Sequence, residues 1–175
     1  YNEDMKKHTT IRIGGIAKCF VTPTQIDEII SVIKYAKENN IKYYVIGNGS
    51  NLVVADEGID GVVIKIAGGF DKVEVIEQKN EINVYAGCTM PKLSQIARKY
   101  EFTGFEFACG IPGTIGGGVR MNAGAYGSEI SDVIEEITYL DENYEVKVMR
   151  KEEAKFSYRH SIFCDNKNLV VLSAK

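Results

Sequence analysis

The stretch GIPGTIGGGVRMNAGAYG, from Gly110 to Gly127, is the most unusual part of this sequence. Seven of its eighteen residues are glycine, and Arg120 is its only charged residue. The remaining side chains are mostly apolar, whereas a flexible glycine-rich linker carries polar and charged residues. Glycine within an apolar segment indicates positive φ angles or a backbone that something approaches closely. Unpaired amides in successive turns form a concave nest for anionic oxygens, so the stretch predicts a phosphate site.

The same stretch is also compatible with a purely structural role. It could form a tight crossing of the core between two strands, because glycine is common at bulges and close packings. A P-loop is excluded, because the Walker A motif needs Gly-Lys followed by Ser or Thr, and Gly117 is followed by Gly118 and Val119. An ATPase or GTPase of that class is therefore not expected.

The overall composition is that of an ordinary soluble protein. With 175 residues, 45% of them hydrophobic and 26% charged, the chain is long enough for one domain or two small ones. A net charge of −3 gives no basic footprint for nucleic acid. No apolar run approaches the roughly 20 residues of a membrane helix, and the N-terminal YNEDMKKHTT lacks the apolar segment of a secretion signal. We expect no nucleic-acid partner and no membrane association.

The four cysteines, Cys19, Cys88, Cys109 and Cys164, are widely spaced and form no CxxC pair. Zinc sites and disulfide scaffolds use closer or denser spacings. Free thiols in a reducing compartment, and hence a cytoplasmic location, are expected instead. With only two histidines in the chain, no metal site is expected.

The rest of the sequence predicts an α+β fold, because strands outnumber helices and do not alternate regularly with them. One helix is expected to start at Thr24, with Thr24-x-x-Asp27 as a capping box, and to end near Asn39. A second is opened by Thr89 and Pro91. Strands are expected at residues 17–21, 42–46, 52–55, 61–66, 73–76, 82–86, 133–140, 144–149 and 169–172.

Two further patterns concern the organisation of the chain. A boundary near Gly68-Gly69 separates a small βαββ unit from a larger, strand-rich one. Within the larger unit, Tyr144, Val146 and Val148 alternate with charged residues, which predicts a hairpin strand with one solvent-exposed, charged face.

A second glycine-rich segment, GNGSN (47–51), follows the strand expected at 42–46. A Rossmann fingerprint would need a third glycine at position 52 and a helix behind it, but position 52 is leucine. What remains is a tight turn of small residues that exposes main-chain amides, a pattern also common in hairpins. Together with Gly110–Gly127 it predicts one half of a phosphate site.

Four segments carry a resemblance to a known family: TTIRIGG (9–15), IGNGSNLVV (46–54), FACGIPGTIGGGVRMNAGAYG (107–127) and YRHSIF (158–163). In this order they resemble the flavin-binding part of the UDP-N-acetylenolpyruvoylglucosamine reductase family, the peptidoglycan-precursor enzymes of bacteria. The resemblance covers nearly the whole chain. It implies the FAD fold of the vanillyl-alcohol-oxidase (PCMH) type, with two α+β subdomains, here residues 1–67 and 68–175, that hold an extended FAD.

The resemblance also implies the reaction. The family reduces the enolpyruvyl group of UDP-N-acetylglucosamine enolpyruvate with NADPH, which places the chain in cell-wall biogenesis and thereby in cell shape and division. A cytoplasmic monomer whose partners are small molecules is expected. Two alternatives stay open, another FAD-dependent oxidoreductase or oxidase of the same fold and a non-catalytic nucleotide-binding module.

The cofactor contacts implied by the resemblance fall in the two glycine-rich segments. The first would line the pyrophosphate of FAD with main-chain amides, which bind anions without a buried cation, and the second would wrap the rest of the cofactor. Neither His8 nor His160 lies in a glycine-rich loop, and Cys109 only borders one, so non-covalent FAD is expected. The implied residues are Gly47, Asn48, Gly49, Ser50, Asn51 and Leu52, followed by Gly110, Ile111, Pro112, Gly113, Thr114, Ile115, Gly116, Gly117, Met121, Asn122, Ala123 and Gly124.

Arg159 is the catalytic residue that the resemblance implies. The matching arginine of the family lies by the substrate and stabilises its enolate-like intermediate, as a preorganised cation does where negative charge develops. A guanidinium also holds a carboxylate bidentately. Tyr158 would support Arg159 or bind the substrate. The structural alternative is a surface ion pair of Arg159 with Glu152 or Glu153.

The chain departs from the family pattern mainly in length. Family members continue into a substrate-binding domain with a serine that protonates the intermediate and a glutamate that assists. No residue here matches either, so the chain is expected to be an FAD-binding part that is inactive alone. Gly118 and Cys109 stand where family members often carry alanine, and both substitutions are small.

Overall fold

The computed structural model describes all 175 residues, Tyr1–Lys175, and they form two compact units. The first is Tyr1–Phe70 and the second is Asp71–Lys175. Each unit combines helices with a sheet of its own, so the predicted α+β class is confirmed. The assignment of the units as FAD-binding subdomains stays a prediction.

The first unit is built on a four-stranded sheet with the strand order β1-β2-β4-β3. The central strand β4 runs parallel to β2 and to β3, and β1 is antiparallel to β2. Three successive residues of β4, Val62, Val63 and Ile64, are buried, which means that both faces of the sheet are covered. The elements are β1 (Glu3–Asp4), β2 (Ile16–Val21), α1 (Ile26–Glu38), β3 (Tyr43–Ile46) and β4 (Ile59–Lys65).

Helix α1 connects β2 to β3 and starts two residues later than predicted. Its cap residue is Gln25, whose side chain makes no capping bond. The amide and the hydroxyl of Thr24 instead donate to Oε2 of Glu28, at 2.6 and 3.1 Å. The predicted capping box with Asp27 is therefore wrong, because the carboxylate that reaches back is one residue farther along. The buried face is the predicted one, with Ile29, Ile33 and Ala36.

Residues 52–55 do not form the predicted strand. Val54 is buried in the core of the unit, whereas Val53 is 80% exposed. One hydrogen bond, from the amide of Gly15 to the carbonyl of Ala55 (2.8 Å), joins this segment to residues 9–15, which we call the N-terminal arm. The alternation of side chains that predicted a strand is present, but no neighbouring strand pairs with it.

The second unit is built on a five-stranded antiparallel sheet with the strand order β10-β9-β11-β6-β5. The last strand, β11, lies in the middle of this sheet. A separate ribbon consists of β7 and β8. The elements are β5 (Val73–Ile76), β6 (Glu81–Tyr85), α2 (Met90–Lys99), α3 (Ile115–Met121), β7 (Gly124–Ala125), β8 (Ser128–Glu129), α4 (Ile130–Val133), β9 (Glu136–Leu140), β10 (Val146–Arg150), α5 (Ile162–Asp165) and β11 (Val170–Ala174).

Most predicted elements of the second unit are present. Each of the five strands overlaps its expected range, although residues 133–135 precede β9, residues 144–145 precede β10, and β11 ends two residues later than expected. Helix α2 is capped as predicted, since the hydroxyl of Thr89 accepts a hydrogen bond from the amide of Lys92. The short helices α3, α4 and α5 were not predicted. No helix in the chain is long and apolar enough to cross a bilayer.

The buried face of the β10 strand differs from the expected one. Val146 and Val148 are 50% and 61% exposed, whereas Met149 is buried. The covered face carries Lys147 and Met149, which pair with Tyr139 and Ile137 of β9. On that face the ring of Phe163 packs edge-on against Tyr139. Alternation alone identified a strand here but not which of its two faces is covered.

Candidate functional site

The first glycine-rich segment is a loop at the end of β3. Gly49 has a φ angle of +65°, and a Cβ atom at this position would lie 2.0 Å from the carbonyl oxygen of His8. The amide of Thr10 donates to the carbonyl of Gly49 at 3.2 Å. Only glycine fits this position, and the loop is held in place by the N-terminal arm.

The main-chain amides of this loop are available to a ligand. Those of Gly49, Ser50 and Asn51 donate to no acceptor within the protein, and Ser50 and Asn51 are exposed. Consecutive amides without acceptors form the kind of donor cluster that binds phosphate oxygens. The loop therefore fits the predicted role of a pyrophosphate cradle.

The second glycine-rich segment contains helix α3 instead of a series of turns. Thr114 caps the helix, since its hydroxyl accepts a hydrogen bond from the amide of Gly117 at 3.4 Å. The amides of Ile115 and Gly116 donate to carbonyls of the segment after β6, at 2.9 and 2.8 Å. Because the protein itself uses the amides of this first turn, the predicted nest is wrong for residues 115–117.

Two glycines of α3 are explained by packing. A Cβ atom on Gly116 would lie 2.9 Å from the Cβ of Ala86, and one on Gly118 would lie 3.1 Å from the sulfur of Met90. These glycines let α3 lie directly against residues 86–90. Gly117 is different, because its Cβ position meets only the Thr114 hydroxyl oxygen, at 3.5 Å. Gly110 has nothing within 4 Å.

Tyr158 and Arg159 occupy the middle of a tight turn, residues 157–160. The turn is closed by two hydrogen bonds between Ser157 and His160, each 3.1 Å long. Arg159 has a φ angle of +55°, and its Nη2 donates to the carbonyl of Gly124 at 2.6 Å. Its guanidinium lies 5.5 Å from the centre of the Tyr158 ring. The structure therefore brings the predicted catalytic arginine to the end of the second glycine-rich segment.

The alternative surface ion pair of Arg159 is not formed. Neither Glu152 nor Glu153 makes a salt bridge with it, and the carboxylate of Glu153 accepts a hydrogen bond from the amide of Arg150 instead. The main-chain contact at Gly124 leaves the charge of the guanidinium without a carboxylate partner.

Comparison with protein families gives a match to the family described as FAD binding domain, over residues 17–149. The chain belongs to this FAD-binding family. It is 44% identical over 173 residues to the UDP-N-acetylenolpyruvoylglucosamine reductase of Caldanaerobacter subterraneus, covering 99% of this chain and 56% of that protein. The chain thus spans about half the length of the curated relatives it matches.

Solved structures agree with this family membership. The UDP-N-acetylenolpyruvylglucosamine reductase of Thermus caldophilus superposes with a TM-score of 0.85 at 33% identity, over 100% of this chain and 60% of that one. A BBE-like protein variant from Physcomitrella patens has a TM-score of 0.64 at 18% identity, over 89% of this chain and 35% of that one, and shows the fold alone. The predicted FAD-binding fold of the vanillyl-alcohol-oxidase type is confirmed.

The predicted cofactor residues fall into two groups, one buried in the protein and one partly or fully exposed. Asn122 is completely buried and Ile115 is 2% exposed, so neither side chain has surface left for a ligand. Gly49, Gly113 and Thr114 are buried as well. The partly or fully exposed residues are Gly47, Asn48, Ser50, Asn51, Leu52, Gly110, Ile111, Pro112, Gly116, Gly117, Met121, Ala123 and Gly124.

Two amides in front of α3 fit an external acceptor. Those of Gly113 and Thr114 donate to no acceptor within the protein, although both residues are buried. A buried amide without an acceptor costs about as much as a lost hydrogen bond. The start of the second segment therefore offers two donors to an external acceptor, even though the first turn of α3 offers none.

The contacts that dock α5 on α3 were not predicted from the sequence. The guanidinium of Arg120 donates to the carbonyl of Phe163, and the hydroxyl of Ser161 donates to the carbonyl of Arg120 at 2.7 Å. The signal available in the sequence was Arg120 itself, a lone charge in an apolar stretch. These contacts join residues that follow Arg159 in sequence to the glycine-rich helix.

The thiol of Cys164 adds a docking contact, since it donates to the carbonyl of Arg120 at 3.0 Å, whereas the histidine rings and the other cysteine thiols lie outside these contacts. The His8 ring stacks on Phe20 with a centroid distance of 4.0 Å and bonds Glu3 through Nε2. His160 bonds Asp165. All four cysteines are free, and burial raises the pKa of the Cys88 thiol.

A cavity of about 170 Å³ opens elsewhere in the second unit. Its lining is mainly apolar and includes Leu93, Phe105, Ile130 and Ile134. Of the predicted cofactor residues only Ile115 lines it. Neither Arg159 nor its hydrogen-bond partner Gly124 lines this cavity.

Proposed function

We propose that this chain binds FAD non-covalently and is the FAD-binding part of an NADPH-dependent UDP-N-acetylenolpyruvoylglucosamine reductase. The observation that carries the proposal is the 44% identity over 99% of the chain to a protein of that name. The substrate would be UDP-N-acetylglucosamine enolpyruvate, reduced for peptidoglycan synthesis by a cytoplasmic monomer. The named relatives are reductases, and neither they nor the structure favour the alternative, an oxidase of the same fold.

The two glycine-rich segments would hold FAD in different ways. The unpaired amides of residues 49–51 supply donors for the pyrophosphate. In the second segment, the amides of Gly113 and Thr114 supply two more donors, and the open Cβ positions of Gly110 and Gly117 leave room for the cofactor. FAD, when bound, supplies the capacity to accept and pass on a hydride.

Arg159 would bind and orient the substrate. One hydrogen bond to Gly124 fixes its guanidinium and leaves other N–H donors for a carboxylate or a developing negative charge. Tyr158, which is 85% exposed, would lie alongside the substrate.

The first experiment is a titration of the purified chain with FAD, riboflavin and ADP, followed by visible absorption and flavin fluorescence. We expect a structured flavin band that is released by acid, and FAD binding at least about tenfold tighter than riboflavin, because riboflavin lacks the pyrophosphate. ADP should compete with FAD. If the spectrum of FAD is unchanged by the protein, or if riboflavin binds as tightly as FAD, the proposed cradle is wrong.

A further inference from the structure

Asn122 is a buried polar residue whose side chain spans two distant segments. It follows α3 in the left-handed conformation, with φ +41°, and is 0% exposed. Its Nδ2 donates to the carbonyl of Ser157 at 3.0 Å, and its Oδ1 accepts from the amide of Ser131 at 3.1 Å. Both ends of the amide are therefore occupied by protein groups.

The bond to Ser157 reaches the first residue of the turn that carries Arg159. Ser157, Tyr158 and Arg159 are all exposed, so little packing holds this turn. Its fixed contacts with the glycine-rich segment are the Asn122 bond at one end and the bond from Arg159 to Gly124 at the other. Asn122 and Gly124, the two residues of the glycine-rich segment that anchor the turn, are only two positions apart.

We propose that Asn122 is a positioning residue that fixes the turn 157–160 and thereby places the guanidinium of Arg159. The functional part of this inference rests on the proposed role of Arg159, and the structural part does not. Asparagine suits the position because it tolerates the left-handed conformation and provides a donor and an acceptor in one group. Without the donor, the turn loses its anchor at Ser157.

The sharpest variant is Asn122→Asp, which has the same shape and keeps an acceptor for the amide of Ser131. A carboxylate cannot donate to the carbonyl of Ser157, so that bond is lost, and the substitution also places a negative charge at a buried position. Asn122→Gly is the second variant, since glycine adopts the same conformation and adds no charge. The matched control is Asn80→Asp, because Asn80 is also left-handed, with φ +54°, but is exposed.

Hydrogen exchange of the chain without FAD tests the structural part. We expect the amides of Ser157 and His160, which close the turn, to exchange about tenfold faster in both Asn122 variants than in the unmodified chain. Exchange in β9 and β11 should stay unchanged, and Asn80→Asp should change none of these rates. Unchanged exchange in the turn, or an equal increase throughout the second unit, would overturn the proposal.

A fluorescence probe gives an independent measurement. The chain contains no tryptophan, so Tyr158→Trp would report on this turn alone. We expect its anisotropy to fall when Asn122→Gly is added and to stay the same when Asn80→Asp is added. An anisotropy that Asn122→Gly leaves unchanged would show that the turn is held by other contacts.

The functional part is tested with sulfite, an anion that adds to flavins and is bound more tightly beside a cation. In the FAD-loaded chain, we expect Arg159→Gln and Asn122→Gly each to weaken sulfite binding about tenfold. The double variant should be no weaker than Arg159→Gln alone, because Asn122 acts through Arg159. Additive losses would overturn the positioning role. Failure of the unmodified chain to bind FAD would instead count against the proposed function, and the exchange result would stand.

Discussion

Gly117 offers a test in which stability and cofactor binding change in opposite directions. It lies in the first turn of α3, has a helical backbone and is partly exposed. The Cβ atom of Gly117→Ala would meet only one protein atom, the Thr114 hydroxyl oxygen at 3.5 Å, which is an ordinary contact. Its neighbour Gly116 is the matched control, since its Cβ would lie 2.9 Å from the Cβ of Ala86.

The expected magnitudes follow from these contacts. Replacing a helical glycine with alanine without a clash stabilises by about 0.5–1 kcal/mol, which for a chain of this length raises Tm by about 1–4 °C. If FAD lies over Gly117 as proposed, the new methyl group overpacks the site at a cost of about 1–3 kcal/mol, or about 5- to 150-fold in Kd. Gly116→Ala gains the same helix propensity, but overpacking against Ala86 lowers its stability by about 1–3 kcal/mol.

The assay combines thermal unfolding of the FAD-free chains with FAD titrations of the same preparations. Gly117→Ala should unfold at a higher temperature than the unmodified chain and bind FAD more weakly, while Gly116→Ala should unfold at a lower temperature. FAD binding unchanged in Gly117→Ala would refute the placement of the cofactor over this residue. A lowered Tm for Gly117→Ala would refute the open space described at its Cβ position.

Three further predictions concern the folded chain. Gly49→Ala should lower the free energy of unfolding in urea by more than about 2 kcal/mol, because this residue combines a left-handed φ with a carbonyl oxygen 2.0 Å from the new Cβ. Gly68 is also left-handed but has open space around it, so Gly68→Ala should lower the free energy of unfolding by only about 1–2 kcal/mol. Equal costs for the two variants would contradict the steric role of the His8 carbonyl. Thr114→Ala should lower stability by about 0.5–2 kcal/mol through loss of the α3 cap, whereas Thr114→Ser keeps a capping hydroxyl and should retain most of that stability. If the two variants are equally stable, the cap is unimportant. The hydrogen bond from Lys147 and two main-chain amides lower the pKa of Asp141, so its contribution to stability is present above the carboxyl's usual pKa and is lost as pH falls through the lowered value. The Tm of the unmodified chain should therefore fall more steeply below about pH 4 than that of Asp141→Asn, and parallel curves would contradict this.

Periodic side-chain patterns were sufficient to predict the longer helices and most of the longer strands of the fold, but not the short helices α3, α4 and α5. The spacing of Ile29, Ile33 and Ala36 identified the buried face of α1, and Thr89 marked the start of α2 through its capping hydroxyl. These signals are local, because one helix or one strand determines them. The exposure of Val148 shows their limit, since the sequence does not reveal which face of an edge strand another element will cover.

Helix α3 was missed because its stability comes from outside the helix. Three successive glycines, Gly116–Gly118, have a low intrinsic helix propensity. The helix is favoured by its close packing against residues 86–90 and by the hydrogen bonds that its first amides donate to carbonyls of that segment. Neither the partner nor the distance can be deduced from the glycine-rich segment alone.

The order of the motifs pointed to the segments that form the candidate site, but not to the contacts that their side chains make. Arg159 was expected beside the substrate, and the structure places it against Gly124, one of the predicted cofactor residues. Asn122 was expected to contact FAD, yet its side chain is buried between Ser131 and Ser157. A hydrogen bond that joins residues 35 positions apart leaves no periodic trace in the sequence.

The position of β11 in the middle of its sheet has a consequence for synthesis and folding of the chain. The hairpins β5–β6 and β9–β10 can each pair as soon as they are made, but β11 must insert between them, and its residue Ser173 pairs with Tyr85. Until then the inner edges of both hairpins present unpaired main-chain groups, which invite pairing with other nascent chains. We therefore expect insertion of β11 to be the slow, aggregation-sensitive step that completes the second unit.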